Sequence, residues 1–307
     1  MKRWQPFAVF AAFCMSLALL AGCATLDEKQ RAWIFQPSER TWTAGIEAAE
    51  GMDDVWIDFA SKARGSPARL HGLWAAAADD STSAKALHAP VLLYLHGARY
   101  NVIASTQRMR RMQDLGFSVL AIDYRGFGKS TAGLPSEAYA YEDARAAWDW
   151  LAKKYPDRPR YIFGHSLGGT IAINLATEVD DEKGTIVEGT FTSIADVVST
   201  TQWGWMPISL LITQRFDAVD KVSHIGSPLL VVHGSDDSLI LPVLGRKLYA
   251  AAQQPKAFVL VEGGSHHNTN EVGQAQYRSA LTDLFGDHLP PPNVLAARPT
   301  AGTVVAR

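Results

Sequence analysis

From Pro90 onward, short apolar runs alternate with longer stretches whose apolar residues recur every three or four positions. The runs are Val91–Leu95, Phe117–Ile122, Arg160–Phe163, Thr185–Val187, Leu229–Val232 and Ala257–Val261. Continuous apolar runs of this length predict strands buried on both faces. The stretches between them, Ala104–Leu115, Glu137–Tyr155, Leu167–Thr177, Val243–Ala252 and Glu271–Phe285, predict helices. Regular strand–helix alternation predicts an α/β fold with a mostly parallel central sheet and helices on both faces. Upstream, Asp54–Ala60 alternates, with Val55, Ile57 and Phe59 on one side, and predicts a half-buried strand that Arg69–Ala75 can pair with. Ala76–Ala89 has no core pattern and predicts a loop. No internal repeat is visible.

The two ends differ from this body. Residues 24–50 read as a polar tether followed by an entry segment. Before them, Lys2 and Arg3 precede an apolar run from Phe7 to Leu20. That run falls short of the about 20 apolar residues a membrane span needs, but it suits the core of a signal peptide. It ends in Leu20-Ala21-Gly22-Cys23, which resembles the lipobox of bacterial lipoproteins. The resemblance implies removal of residues 1–22, acylation of Cys23 and anchoring of the exported protein in the bacterial cell envelope. More than one acyl chain gives stable anchoring. At the other end, three consecutive prolines from Pro290 and a segment rich in Ala, Arg and Thr predict a disordered tail over 289–307. The folded domain is expected over 51–288.

Composition narrows the class. The 307 residues are 47% hydrophobic and 20% charged, enough for one sizeable core. The formal net charge of −2 comes with no basic block, which sets nucleic-acid partners aside. The two cysteines are Cys14, which leaves with a signal peptide, and Cys23. Neither is then left for a disulfide, so the fold rests on its core.

The strongest local signal is Gly164-His165-Ser166-Leu167-Gly168-Gly169, which fits G-x-S-x-G. A predicted strand precedes it and a predicted helix follows, the context a nucleophile elbow requires. Glycines leave room in the tight turn, and the helix directs its N-terminal dipole at Ser166. A serine hydroxyl needs a base within hydrogen-bond reach, and on such a sheet the acid and the histidine follow, each after a later strand. Asp236 and Asp237 follow the strand Leu229–Val232, and His266 and His267 follow Ala257–Val261. From spacing alone, either member of each doublet fits. Donors for an oxyanion are expected from the backbone N–H of Leu167 and from the loop His96-Gly97-Ala98-Arg99-Tyr100-Asn101, at Ala98 or, next, at Arg99. Asp123-Tyr124-Arg125-Gly126-Phe127-Gly128-Lys129-Ser130 lacks P-loop spacing and reads as a structural loop beside the cleft, with Asp123 and Arg125 bonded within it. No ligand cluster has metal spacing, and no cofactor is implied.

HG with a short loop, DYRGFGKS, GHSLGG, HGSDD and GGSHHN, in this order, resemble the α/β-hydrolase superfamily, over roughly Val55 to Phe285. The nearest branch is similar to the eukaryotic α/β-hydrolase-domain depalmitoylases and their bacterial relatives. That resemblance implies the α/β-hydrolase fold, and Ser166, Asp237 and His266 as nucleophile, acid and base. It selects Asp237 over Asp236 and His266 over His267. Departures are Ser265, where the branch often has glycine, and Ala98-Arg99-Tyr100, where it often has Asn and small residues.

A short cap insertion is expected at about 192–215, carrying Trp203, Trp205, Met206, Ile208, Leu210, Leu211 and Ile212. These residues can line an acyl pocket, pack as core or touch a membrane. The resemblance implies hydrolysis of a carboxylic ester or thioester on a small acyl ester, a lipid or an acylated protein, through an acyl-enzyme. The alternatives are a serine aminopeptidase, usually with a larger cap and acidic residues for the substrate amine, and an inactive lipid-anchored binding protein.

Overall fold

The computed structural model describes residues 22–63, 65–77, 89–202, 204–205 and 208–286, with the side chains of Ile208 and Leu210 left aside. The apolar run of the expected signal peptide, most of the loop expected at Ala76–Ala89, Trp203, Met206 and the tail expected over 289–307 lie outside the described residues.

Among the described residues, eight strands form one sheet. They are β1 (Asp53–Ala60), β2 (Pro67–Ala75), β3 (Val91–Leu95), β4 (Ser118–Ile122), β5 (Arg160–His165), β6 (Glu182–Glu188), β7 (Leu229–Gly234) and β8 (Lys256–Val261). Their order is β1-β2-β4-β3-β5-β6-β7-β8. The pairs β1–β2 and β2–β4 are antiparallel, and from β4 onward all pairs are parallel. This is the α/β-hydrolase fold.

Among the described residues from Thr43 onward, the α-helices are α1 (Thr43–Ala49), α2 (Thr106–Asp114), α3 (Glu137–Lys154), α4 (Leu167–Ala176), α5 (Ile194–Ser199), α6 (Pro242–Ala251), α7 (Thr269–Val272) and α8 (Gln274–Phe285). The pleat sends alternate residues to opposite faces, so each buried strand feeds two cores. Val91, Leu93 and Leu95 join Ala144, Trp148, Ile171 and Leu248 on one face. Leu92 and Tyr94 join Met109, Met112, Tyr277 and Leu281 on the other. Helix α3 starts where Ser136 accepts the Tyr139 N–H on its side chain and Glu137 opens the first turn, and it carries Lys153 and Lys154 in the last. Those are the cap and charge placements a helix end favours.

Two expectations change. Residues 23–35, part of the stretch over 23–50 expected to be a tether and entry segment, are helical together with Gly22, and the helix is docked. Gln30 donates to the Leu211 carbonyl at 2.6 Å and accepts the Thr213 N–H at 2.8 Å. Asp27 accepts from Gln214 at 2.8 Å, and Arg31 donates to the carbonyls of Leu134 and Pro135. Ile34 and Phe35 enter the core. The docking is largely polar, so the segment lacks the apolar stripe that signals a buried helix. The second change concerns the loop after β4. Asp123 reaches out to the Val102 N–H and to His71, and Arg125 reaches Asp143, Glu142, Ser61 and the Tyr139 carbonyl. These side chains tie the loop to its surroundings instead of bonding within it.

Candidate active site

The end of β5 runs through His165 into Ser166 and straight into α4. Ser166 sits at φ 56, a left-handed conformation that only a tightly held turn imposes on a residue with a Cβ. The turn is held by the Ser166 N–H to the Glu188 carbonyl (2.9 Å) and the Gly169 N–H to the Ser166 carbonyl (2.9 Å). A Cβ at Gly168 would run into the carbonyl oxygens of Leu95 and His96, which explains the glycine there. On the other side, a Cβ at Gly97 would stand 3.1 Å from that of Ser166, so Gly97 lets the loop after β3 lie against the elbow.

The loops after β7 and β8 bring two more side chains to this point. His266 Nε2 lies 3.0 Å from Ser166 Oγ, and His266 Nδ1 lies 2.8 Å from Asp237 Oδ2. Nδ1–H donates to the carboxylate, which leaves the Nε2 lone pair to accept the Ser166 hydroxyl proton. Asp237 is buried, and its Oδ1 accepts the backbone N–H groups of Leu239 (3.0 Å) and Ile240 (2.8 Å). Burial alone would raise its carboxyl. Hydrogen bonds from His233, His266 and the Ile240 N–H outweigh burial and hold it well below the usual carboxylate range, so it stays ionised. Asp236 and His267, the other members of the doublets, are exposed. Asp236 accepts only a local bond from Ser235 at 2.8 Å among the contacts described.

Leu167 heads α4, where the first N–H groups have no acceptor within the helix. In the loop after β3, the Arg99 N–H donates to the Phe35 carbonyl at 2.7 Å and is therefore occupied. The Ala98 N–H has no acceptor among the described residues. Arg99 and Tyr100 both adopt positive φ, 73 and 62. This strained pair is clamped by the docked N-terminal segment: Ser38 N–H bonds the Tyr100 carbonyl, and Trp42 packs edge-on to Tyr100 with ring centroids 4.4 Å apart.

Sequence reasoning missed a buried polar group beneath the base loop. Glu188, at the end of β6, accepts from Arg108 at 3.0 Å and from the Tyr277 hydroxyl. Arg108 also donates to the His267 carbonyl at 3.2 Å, and His165 Nε2 donates to the His266 carbonyl at 3.0 Å. Burial first, then the nearby Arg108 guanidinium, push His165 well below its ordinary value and keep it neutral. The one available signal was a carboxylate directly following the apolar run Thr185–Val187. In the cap, Trp205 and Leu211 are exposed and Ile212 is half-buried against the core. Among the described residues, no group of three or more His, Cys, Asp or Glu side chains is arranged to hold a metal ion.

A family model described as serine aminopeptidase, S33, matches residues 85–216. An uncharacterized protein of Mycobacterium tuberculosis is 35% identical over 159 residues, which is 51% of this chain and 56% of the relative. Lysophosphatidylserine lipase ABHD12 of Danio rerio is 33% identical over 187 residues, 55% of this chain and 48% of the relative. The chain thus spans about half the length of the curated relatives it matches. Among solved structures, the Pyrococcus furiosus esterase Pf2001 superposes with a TM-score of 0.61 at 19% identity, covering 81% of this chain and 99% of that one. The esterase domain of a Rhodothermus marinus protein gives 0.54 at 23% identity, covering 76% and 100%. Sheet order, serine elbow and structural likeness together show the α/β-hydrolase fold, and the family match over residues 85–216 agrees with it.

Proposed function

We propose that this protein is a lipid-anchored serine hydrolase that cleaves carboxylic esters or thioesters through an acyl-Ser166 intermediate. The observation that carries the reading is the unbroken relay from Asp237 Oδ2 through His266 to Ser166 Oγ, at 2.8 and 3.0 Å. Ser166 Oγ attacks the acyl carbon as His266 Nε2 takes its proton, and the N–H groups of Ala98 and Leu167 receive the oxyanion. Collapse expels the alcohol or thiol, which leaves with the proton from His266. Water, deprotonated by His266, then attacks the acyl-serine and releases the acid and the free hydroxyl. Asp237 remains ionised and fixes the imidazole tautomer throughout.

A lipid acyl ester is the favoured substrate class. The named relative is a lysophosphatidylserine lipase, and the exposed apolar cap suits an acyl chain. The family description also names aminopeptidases. Against that reading, Asp196 is the one acid within 192–215, and it is engaged by Thr192. The anchor reading rests on Leu20-Ala21-Gly22-Cys23 and on the exposed thiol of Cys23. No helix among the described residues is long and apolar enough to cross a membrane.

The test is covalent labelling by a fluorophosphonate, with turnover across a panel of acyl esters, acyl thioesters and aminoacyl amides. Labelling that Ser166→Ala abolishes, with esters or thioesters preferred, is expected. Absence of labelling supports an inactive binding protein, and a preference for aminoacyl amides supports the peptidase.

A further inference from the structure

On the helix over residues 22–35, Cys23, Leu26, Gln30 and Trp33 recur at intervals of three, four and three, so they lie along one stripe. Gln30 is bonded to Leu211 and Thr213, which sets the stripe along the edge of the cap. Its apolar members face solvent: Leu26 is 37% exposed and Trp33 63%. The cap continues the strip with Leu211, 58% exposed, and Trp205, also in the cap, is 78% exposed. The other flank of the helix, with Asp27, Arg31, Ile34 and Phe35, is the one that grips the protein. Single exposed leucines are ordinary, but tryptophan and leucine gathered on one strip mark a contact surface.

The chain identifies what covers it. The apolar run Phe7–Leu20 leads directly to Cys23, whose thiol stands exposed at the head of the strip. Acyl chains attached there enter a bilayer at that end and lay Leu26, Trp33 and Leu211 against the same surface. Tryptophan, with an apolar body and one polar N–H, suits the lipid–water boundary. We propose that this strip is the face on which the protein rests on a phospholipid bilayer, so that the cap meets lipid acyl chains as they leave the membrane. The proposal builds on the acylation of Cys23. The same helix reaches the reacting centre: two residues past Trp33, the Phe35 carbonyl accepts the Arg99 N–H, next to the Ala98 donor. Seating on the bilayer therefore bears on the wall of the site itself.

The test uses the full chain, expressed in bacteria and reconstituted in phosphatidylcholine–phosphatidylglycerol vesicles, beside a Leu26→Gln, Trp33→Gln double variant on the helix, outside the cap. Two rates are read: hydrolysis of a long-chain acyl ester carried in the vesicle, and of a soluble acetate ester. The double variant is expected to lose at least fivefold on the first and to keep the second, which also shows that it is folded. Equal rates on both substrates, or an equal fall on both, overturn the bilayer face. The mass of the N-terminal peptide reads acylation separately. Acylated Cys23 without the rate split rejects the face and keeps the anchor, whereas unmodified Cys23 or a retained 1–22 segment rejects the anchor. A dimer in detergent that the double substitution dissociates would make a second copy the occupant and overturn the proposal.

Discussion

Within each doublet, the backbone decides which side chain can act. Asp237 is turned inward because its Oδ1 accepts the Leu239 and Ile240 N–H groups, which leaves Oδ2 for His266. Asp236, one residue away, must point outward. His266→Ala and Asp237→Ala should each lower kcat/KM on an activated short-chain ester by a factor on the order of 10⁴ or more. Asp236→Ala and His267→Ala should stay within about threefold, since neither side chain is hydrogen-bonded to Ser166, Asp237 or His266 and the His267 ring only packs edge-on to that of His266. Circular dichroism would verify folding, and a dead His267→Ala beside an active His266→Ala would shift the base by one residue. Much of this site is legible in sequence because G-x-S-x-G and two loops after later strands are local patterns. What spacing alone leaves open is which neighbour in each doublet faces in, since that depends on turn geometry. Arg108 and Glu188 are invisible for a different reason: 80 residues separate them, and only the fold makes them partners.

At the scale of elements, the strands and the long helices follow their apolar periodicity closely. β3 has the predicted limits, and α3 ends one residue before the predicted stretch does. Where polar residues carry an element, periodicity is silent. β6 is longer than its apolar run because Glu182 and Glu188 belong to it, and the predicted helix over Glu271–Phe285 is broken at Gly273 into α7 and α8. The N-terminal helix is the clearest case, held by Asp27, Gln30 and Arg31 and anchored at its end by Phe35. The Phe35 ring is fully buried, with Phe216 at 5.8 Å and Phe127 at 6.3 Å between centroids. Phe35→Ala should destabilise the protein by about 3–5 kcal/mol, the usual range for emptying a buried phenylalanine site. It should also lower kcat on a soluble ester, because the Phe35 carbonyl that fixes Arg99 loses its anchor. Urea denaturation and steady-state kinetics below the unfolding transition would check both. A full loss of the helix contact with unchanged kcat would separate the helix from the site.

At the scale of the whole molecule, Ser166, Asp237 and His266 meet because β5, β7 and β8 run parallel and end at the same side of the sheet, where ligands of open α/β sheets gather. Alternation in the sequence predicts the parallel sheet but not the order β4-β3-β5, which depends on how each crossover packs. The assembled fold also sets protonation in places no motif reveals, and two histidines illustrate opposite signs. Burial and Arg108 hold His165 well below the value of about 6.5 expected in the unfolded chain. In mildly acidic solution the unfolded chain then binds a proton there that the native one refuses, so the share of stability due to His165 grows as the pH rises. His71 is the reverse. Burial opposes its charge, but hydrogen bonds to Asp123 and Asp54 outweigh burial and raise it. Its contribution is full below about pH 6.5 and is lost as the pH climbs through the raised value. Denaturation of the parent, His165→Asn and His71→Asn at a series of pH values between 5.5 and 7.5 reads both. The stability gap between parent and His165→Asn should widen with pH, by at most about 1.4 kcal/mol per pH unit for one proton. The gap between parent and His71→Asn should narrow over the same range. Gaps that stay constant with pH would mean that neither histidine changes its proton occupancy on folding.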